Sequence, residues 1–280
     1  MAMRCVLASA AGLFAIAAAA STPKPPKTTT PPPETPAPTH DKFWGSQDLW
    51  IYTSAWYPEQ CSCMCASICY HPPPYIKTNL VTGRLYPIYK ENVPQLSRLE
   101  DATAPRLAHP ACTRKPALFS GDAIRAVTRD KLIQYFPFDF NKDPANMWNP
   151  DAPAPINVIP MYDFPCSGML ETNYLRTAVQ MAQYIGTPKL ITDNINGTVT
   201  KPALVAAFKK KGLDVVLRCR DNALYEVFSC WTKNVPYPYQ VDENDQSFAP
   251  AQPMQCPPAV VAQEGSCGNT IRITKFVDRG

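Results

Sequence analysis

The sequence predicts a disulfide-tied domain of the α+β class. Helical and strand periodicities both occur in it, most clearly side by side in the stretch from Lys201 to Cys230. A second helical stripe runs from Thr172 to Ile185, far from that unit in the chain. The cysteines outside the extreme N-terminus are even in number, as an oxidised framework requires.

The Lys201–Cys230 stretch reads KPALVAAFKKKGLDVVLRCRDNALYEVFSC. Thr200 can cap a helix by accepting from a free first-turn N–H. Pro202 falls in that first turn, where its missing N–H costs nothing. Leu204, Val205, Ala207 and Phe208 form one apolar stripe. Lys209, Lys210 and Lys211 complement the negative end of the helix dipole, and Gly212 supplies a left-handed stop. Leu213 to Leu217 then reads as a strand. Arg220-Asp221-Asn222 is a turn signal, and Leu224 to Phe228 a second strand.

The chain has 280 residues, 45% of them hydrophobic, which allows one large domain with a real core and excludes a wholly disordered protein. A formal net charge of +4 fits an anionic partner without demanding one. Thirty-two prolines imply much irregular backbone. Residues 1–20 read as a secretory signal, with Arg4, an apolar run from Val6 and small residues Ala18 and Ala20. At about 15 residues that run is too short to span a membrane comfortably. Residues 21–42 form a Pro/Thr-rich, polyproline-like stalk or linker, and residues 43–280 the folded domain.

Removing Cys5 with the signal leaves ten cysteines, hence up to five disulfides in an exported chain. Cys61, Cys63, Cys65 and Cys69 could instead be read as a zinc cluster. Their spacing and the exported context argue against that, so neither metal nor cofactor is expected.

Along the domain, Asp48 to Ser54 is β-prone and leads into Trp56-Tyr57-Pro58. His71 precedes three prolines. Asp122 to Phe136 reads as one helix that stops at Pro137. Pro137 to Pro165 reads as loop. Tyr174, Leu175, Ala178, Ala182 and Ile185 line one face of the Thr172–Ile185 helix, which Gly186 and Pro188 end. Asn196-Gly197-Thr198 is an N-glycosylation sequon in a loop expected to face solvent. Ile271 to Phe276 is a last strand candidate.

Taken in order, a strand, Trp-Tyr-Pro, cysteines, a later Leu-Tyr-Pro, a Cys before a long helix and the Lys201–Cys230 unit resemble the secreted ribonuclease T2 family. The resemblance extends from about Asp48 to Phe276. It implies a central antiparallel sheet flanked by helices. It also implies bridges Cys219–Cys230 and Cys112–Cys166.

Family members cleave RNA by attack of a 2′-hydroxyl on the adjacent phosphorus. Two histidines act as base and acid, and a Glu and a Lys steady the charged phosphorane. The first family segment, roughly His-Gly-Leu-Trp-Pro, corresponds to Gly83-Arg84-Leu85-Tyr86-Pro87. Its His falls on Gly83 or, with one inserted residue, on Thr82. The second segment, roughly His-Glu-x-x-Lys-His, falls on Val158, Ile159, Tyr162 and Asp163. None of these side chains matches the family's proton-transfer or phosphate-binding group.

The histidines are His40, His71 and His109. A relocated His71/His109 pair is the alternative catalytic reading, giving an active endoribonuclease. Otherwise His71 is a surface-loop residue and His109 packs beside a disulfide. Tyr57, Tyr75, Tyr86 and Phe164 would line the old cleft and could stack bases, or they simply fill a core. Asp163 is a lone carboxylate or a cap. The resulting expectation is an exported, catalytically inactive ribonuclease-like protein that binds RNA, a glycan or another extracellular protein. A structural cell-surface role, suggested by the stalk, is the further alternative.

Overall fold

Leu49 to Ala55, LWIYTSA, forms strand β1 and is buried along its whole length. Its aromatic and β-branched residues suit a pleated surface covered on both sides, so they need not alternate with polar ones. The structure, a computed structural model, describes residues 47–63, 67–88, 119–137, 147–151, 164, 167–233 and 250–278. The expected signal and stalk lie outside these residues.

On one side β1 pairs antiparallel with β2 (Val81–Ile88). On the other it pairs antiparallel with β5 (Ala223–Lys233). Strand β5 also carries β4 (Val215–Arg220) and β6 (Pro250–Met254), again antiparallel. It meets β7 (Thr270–Ile273) in parallel at Ala223 and Arg272. Strand β3 (Gly197–Thr200) closes the row on β7. Trp50, Tyr52, Leu85, Leu224 and Trp231 face the larger core. That core is shared with helices α2 (Gly121–Val127), α3 (Arg129–Tyr135) and α4 (Glu171–Ile185). Leu49, Ile51, Tyr86, Ile88, Val216 and Phe228 form a smaller core on the opposite face, covered in part by Val260 of helix α7 (Pro258–Val261). Helices α1 (Tyr57–Cys63), α5 (Lys189–Thr192) and α6 (Lys201–Lys209) complete the order.

The helix–hairpin unit forms, although its first strand begins at Val215 rather than Leu213 and its second runs on past Phe228 to Lys233. Thr200 Oγ1 accepts from the Ala203 N–H, and Leu204 and Phe208 are buried. Gly212 takes a φ of 77°. Asp221 and Asn222, with φ of 46° and 61°, make the two-residue turn that matches strand twist. The expected Asp122–Phe136 helix is instead two helices, α2 and α3. Thr128 adopts a φ of 74° between them, so the helical ladder stops there and restarts.

Helix α4 is fastened to β2 by two buried hydroxyls. Thr82 Oγ1 donates to the Ala178 carbonyl at 3.0 Å and, its proton so used, accepts from Tyr52 at 2.8 Å. Tyr174 donates its hydroxyl to the Leu85 carbonyl.

The bridge Cys219–Cys230 is not formed. Cys219 bonds to Cys267, and Cys230 bonds to Cys256. The ladder explains this: Cys219 lies opposite Leu224, leaving Cys230 about 20 Å further along β5. The two cysteines also serve opposite faces of the sheet. Cys61 bonds to Cys69, so neither offers a thiolate to a metal. Cys112 and Cys166 lie outside the described residues.

The Cys219–Cys267 and Cys61–Cys69 bonds are separated by 48 and 8 residues in sequence. On the chain-entropy account they stabilise the fold by about 4 and about 2.5 kcal/mol. Replacing Cys219 and Cys267 by Ala should therefore lower the urea-unfolding free energy more than replacing Cys61 and Cys69. The reverse order would contradict this account of the framework.

Candidate functional site

The segment expected to correspond to the first ribonuclease motif forms the middle of β2. Thr82 is fully buried, and its hydroxyl is committed to Tyr52 and Ala178. It joins sheet to helix and faces the larger core. Burial holds the Tyr52 hydroxyl well above the ordinary phenol range, so it acts as a fixed donor.

Gly83 is the extra residue of a β-bulge. Thr53 pairs with Arg84 while Ser54 pairs with Thr82, leaving Gly83 unmatched. The bulge brings position 83 hard against β1. A Cβ placed on Gly83 would lie 2.6 Å from Thr53 Oγ1, closer than real contacts allow. Glycine is needed here because of that close approach. The bulge also sets which way the next side chains of β2 point: Leu85 turns into the helix-side core, and Tyr86 into the other.

Cationic and aromatic side chains also meet at Tyr86, which belongs to the smaller apolar core. The Arg84 guanidinium lies 4.5 Å from the Tyr86 ring centroid. A second register shift, in the β4–β5 ladder, leaves Tyr225 as its extra residue. Arg218 and Arg220 approach its ring at 5.6 and 5.5 Å. Glu226 accepts from Arg218 at 3.1 Å. Burial pushes the Glu226 carboxyl above its usual range, and the Arg218 and Arg84 charges pull back against that shift. Thr53 Oγ1 is buried and has no hydrogen-bond partner among the described residues.

The expected aromatic cleft is not assembled. Tyr86 is buried in the smaller core, whereas Tyr57, Tyr75 and Phe164 pack against the larger one, with the sheet between. Tyr57 donates to the Pro137 carbonyl at 3.1 Å. Tyr75 meets Tyr135 edge-on at 5.2 Å, and its partial burial raises its hydroxyl pKa. Phe164 packs at 5.1 Å from Phe119 and 5.5 Å from Tyr174. These rings therefore fill a core. His71 is exposed on the loop before the proline run. Val158, Ile159, Tyr162, Asp163, His109 and His40 lie outside the described residues. The Arg218–Tyr225–Glu226 group escaped the sequence reading. Its signal was present as Arg218 and Arg220 before the Asp221-Asn222 turn and Tyr225 and Glu226 after it.

Two consequences can be measured. Gly83→Ala should cost about 1–3 kcal/mol of stability by crowding Thr53. In a Thr53→Ala background the same change should cost clearly less, and equal costs in a double-mutant cycle would refute the crowding. Glu226 should titrate above the ordinary carboxylate range near pH 4.3 when followed by carboxyl NMR. The folded state holds this proton more tightly than the unfolded chain. The group therefore favours folding below the unfolded range, and the benefit fades as pH rises through the folded midpoint. Arg218→Met should move the midpoint further up. A midpoint at or below the ordinary range would be the contrary result.

No family model matches the chain, and no curated protein matches it at a significant level. Solved structures do match. An RNase-related protein from Calystegia sepium covers 83% of this chain and 99% of its own, with a TM-score of 0.53 at 13% identity. Trichomaglin, described as a novel S-like ribonuclease, matches over 83% of this chain and 100% of its own, with a TM-score of 0.51 at 16% identity. RNase NT in complex with 5′-AMP matches over 82% and 99%, with a TM-score of 0.51 at 14% identity. Identities this low speak to architecture rather than activity. With its antiparallel sheet, flanking helices and disulfides, the chain has the ribonuclease T2-like fold.

Proposed function

We propose that this chain is an exported binding protein on a ribonuclease scaffold, without the acid–base chemistry of the enzymes. One observation carries the reading. The resemblance gives the first imidazole to Gly83 or Thr82: Gly83 lies in a bulge where a Cβ meets Thr53 Oγ1 at 2.6 Å, and Thr82 is fully buried. An imidazole on position 83 would require the Thr53 side chain to give way. Each general acid or base contributes roughly 100- to 10,000-fold to the rate, so losing both leaves no useful turnover. The chain has His40, His71 and His109 as its whole supply of imidazoles, and His71 is exposed to solvent.

RNA is the partner that the remaining side chains favour. Arg84 with Tyr86, and Arg218 and Arg220 with Tyr225, set guanidinium groups against aromatic rings on one side of the sheet. Guanidinium groups can meet phosphate or stack on bases. The net charge of +4 has the matching sign. RNase NT, of similar fold, is described in complex with 5′-AMP. Export is supported by the cystines Cys61–Cys69, Cys219–Cys267 and Cys230–Cys256. No helix among the described residues is long and apolar enough to cross a membrane. Asn196 is exposed in a turn at φ 68°, which suits it as the carrier of an N-glycan.

The test is incubation of the mature protein with single-stranded RNA from about pH 4 to about pH 8, a range that brackets imidazole titration. The expected result is intact RNA that is nevertheless retained by the protein. Arg84→Ala should weaken retention about fivefold or more, given the worth of a guanidinium contact. Cleavage that His109→Ala abolishes would overturn the non-catalytic reading. Intact RNA without retention would overturn the choice of partner.

A further inference from the structure

Helix α6 buries Leu204 and Phe208 against the sheet. Its outward side is also apolar: Pro202 and Ala206 are exposed and Val205 half-buried. These three residues floor an open groove of about 870 Å³. Lys201, Lys209 and Lys210 stand around it. Lys201 is paired with Glu264, and Lys209 with Asp214. Lys211, next in sequence, donates to the Ile185 carbonyl. The Lys210 ammonium has no bond or ion pair among the described residues. Four lysines against two carboxylates leave the surroundings of the groove positive.

An apolar strip on a helix, bordered by cations, is complementary to another helix with one apolar face and acidic flanks. None of the residues lining the groove is aromatic, so it offers no platform for stacked bases. A bare anionic polymer would use the lysines and leave the apolar floor uncovered. The geometry points to a docking site for an acidic amphipathic helix of a partner protein. It is a second surface, independent of the Arg84–Tyr86 side, and its failure would leave the RNA reading untouched.

The experiment uses the mature, isotope-labelled protein and a synthetic peptide of about 14 residues, roughly four helical turns. The peptide carries Leu at i, i+3, i+4 and i+7 and Glu elsewhere. Saturable amide shifts are expected at Val205, Ala206 and Lys210, with Gly83 and Arg84 unmoved. Lys210→Glu should weaken binding about fivefold, and more at low salt. Ala206→Glu, which puts a charge on the floor, should weaken it about tenfold or more. Both sites are exposed, and an unchanged thermal midpoint would show that the variants remain folded.

Four results would overturn the proposal. One is equal binding by an all-Glu peptide of the same length. Another is tighter binding of an RNA oligomer at the same amides. A third is self-association that moves those amides without peptide. The last is no shift at peptide concentrations up to about 1 mM.

Discussion

Strand β5 is the constraint on which the molecule depends. It runs for eleven residues, from Ala223 to Lys233, and receives β1, β4, β6 and β7. Its alternation separates the two cores: Val227 and Trp231 lie on one side, and Phe228 and Cys230 on the other. Two cystines then bind the C-terminal segment to the hairpin, Cys219 to Cys267 and Cys230 to Cys256. An error of one residue in this ladder would exchange the faces and expose both cores.

Both bulges lie near the C-terminal end of β1. Gly83 interrupts the β1–β2 ladder beside Thr53 and Ser54, and Tyr225 interrupts the β4–β5 ladder beside Glu226, which pairs with Ala55. Bulges re-aim side chains and often accompany active sites. Here the irregular backbone lies beside Arg84, Tyr225 and the Arg218–Glu226 pair. A scaffold and its chemistry are separable properties of a chain.

Much of the fold was legible because its signals are local. The Thr200 cap, Pro202, Gly212 and the Asp221-Asn222 turn each act within a few residues, so the helix–hairpin unit could be read directly. The α4 stripe was readable for the same reason. Cystine pairing was not, because it depends on how β6 and the segment around Cys267 return to the sheet. The break at Thr128 has no glycine or proline to announce it. Assigning Tyr57, Tyr75, Tyr86 and Phe164 to one cleft failed for a related reason. Which side of a sheet a ring occupies depends on register, and one bulged residue reverses the assignment downstream. The burial of Thr82 and the contact of Gly83 with Thr53 arise only from strand pairing.

The central claim is that no pair of imidazoles cooperates at a phosphate. The most direct measurement is an NMR pH titration of the imidazole resonances of His40, His71 and His109, with and without a non-cleavable RNA dinucleotide. The account predicts three independent, single-step curves that the dinucleotide leaves in place. Two imidazoles that titrate as a coupled pair, and whose midpoints move when the dinucleotide binds, would contradict it.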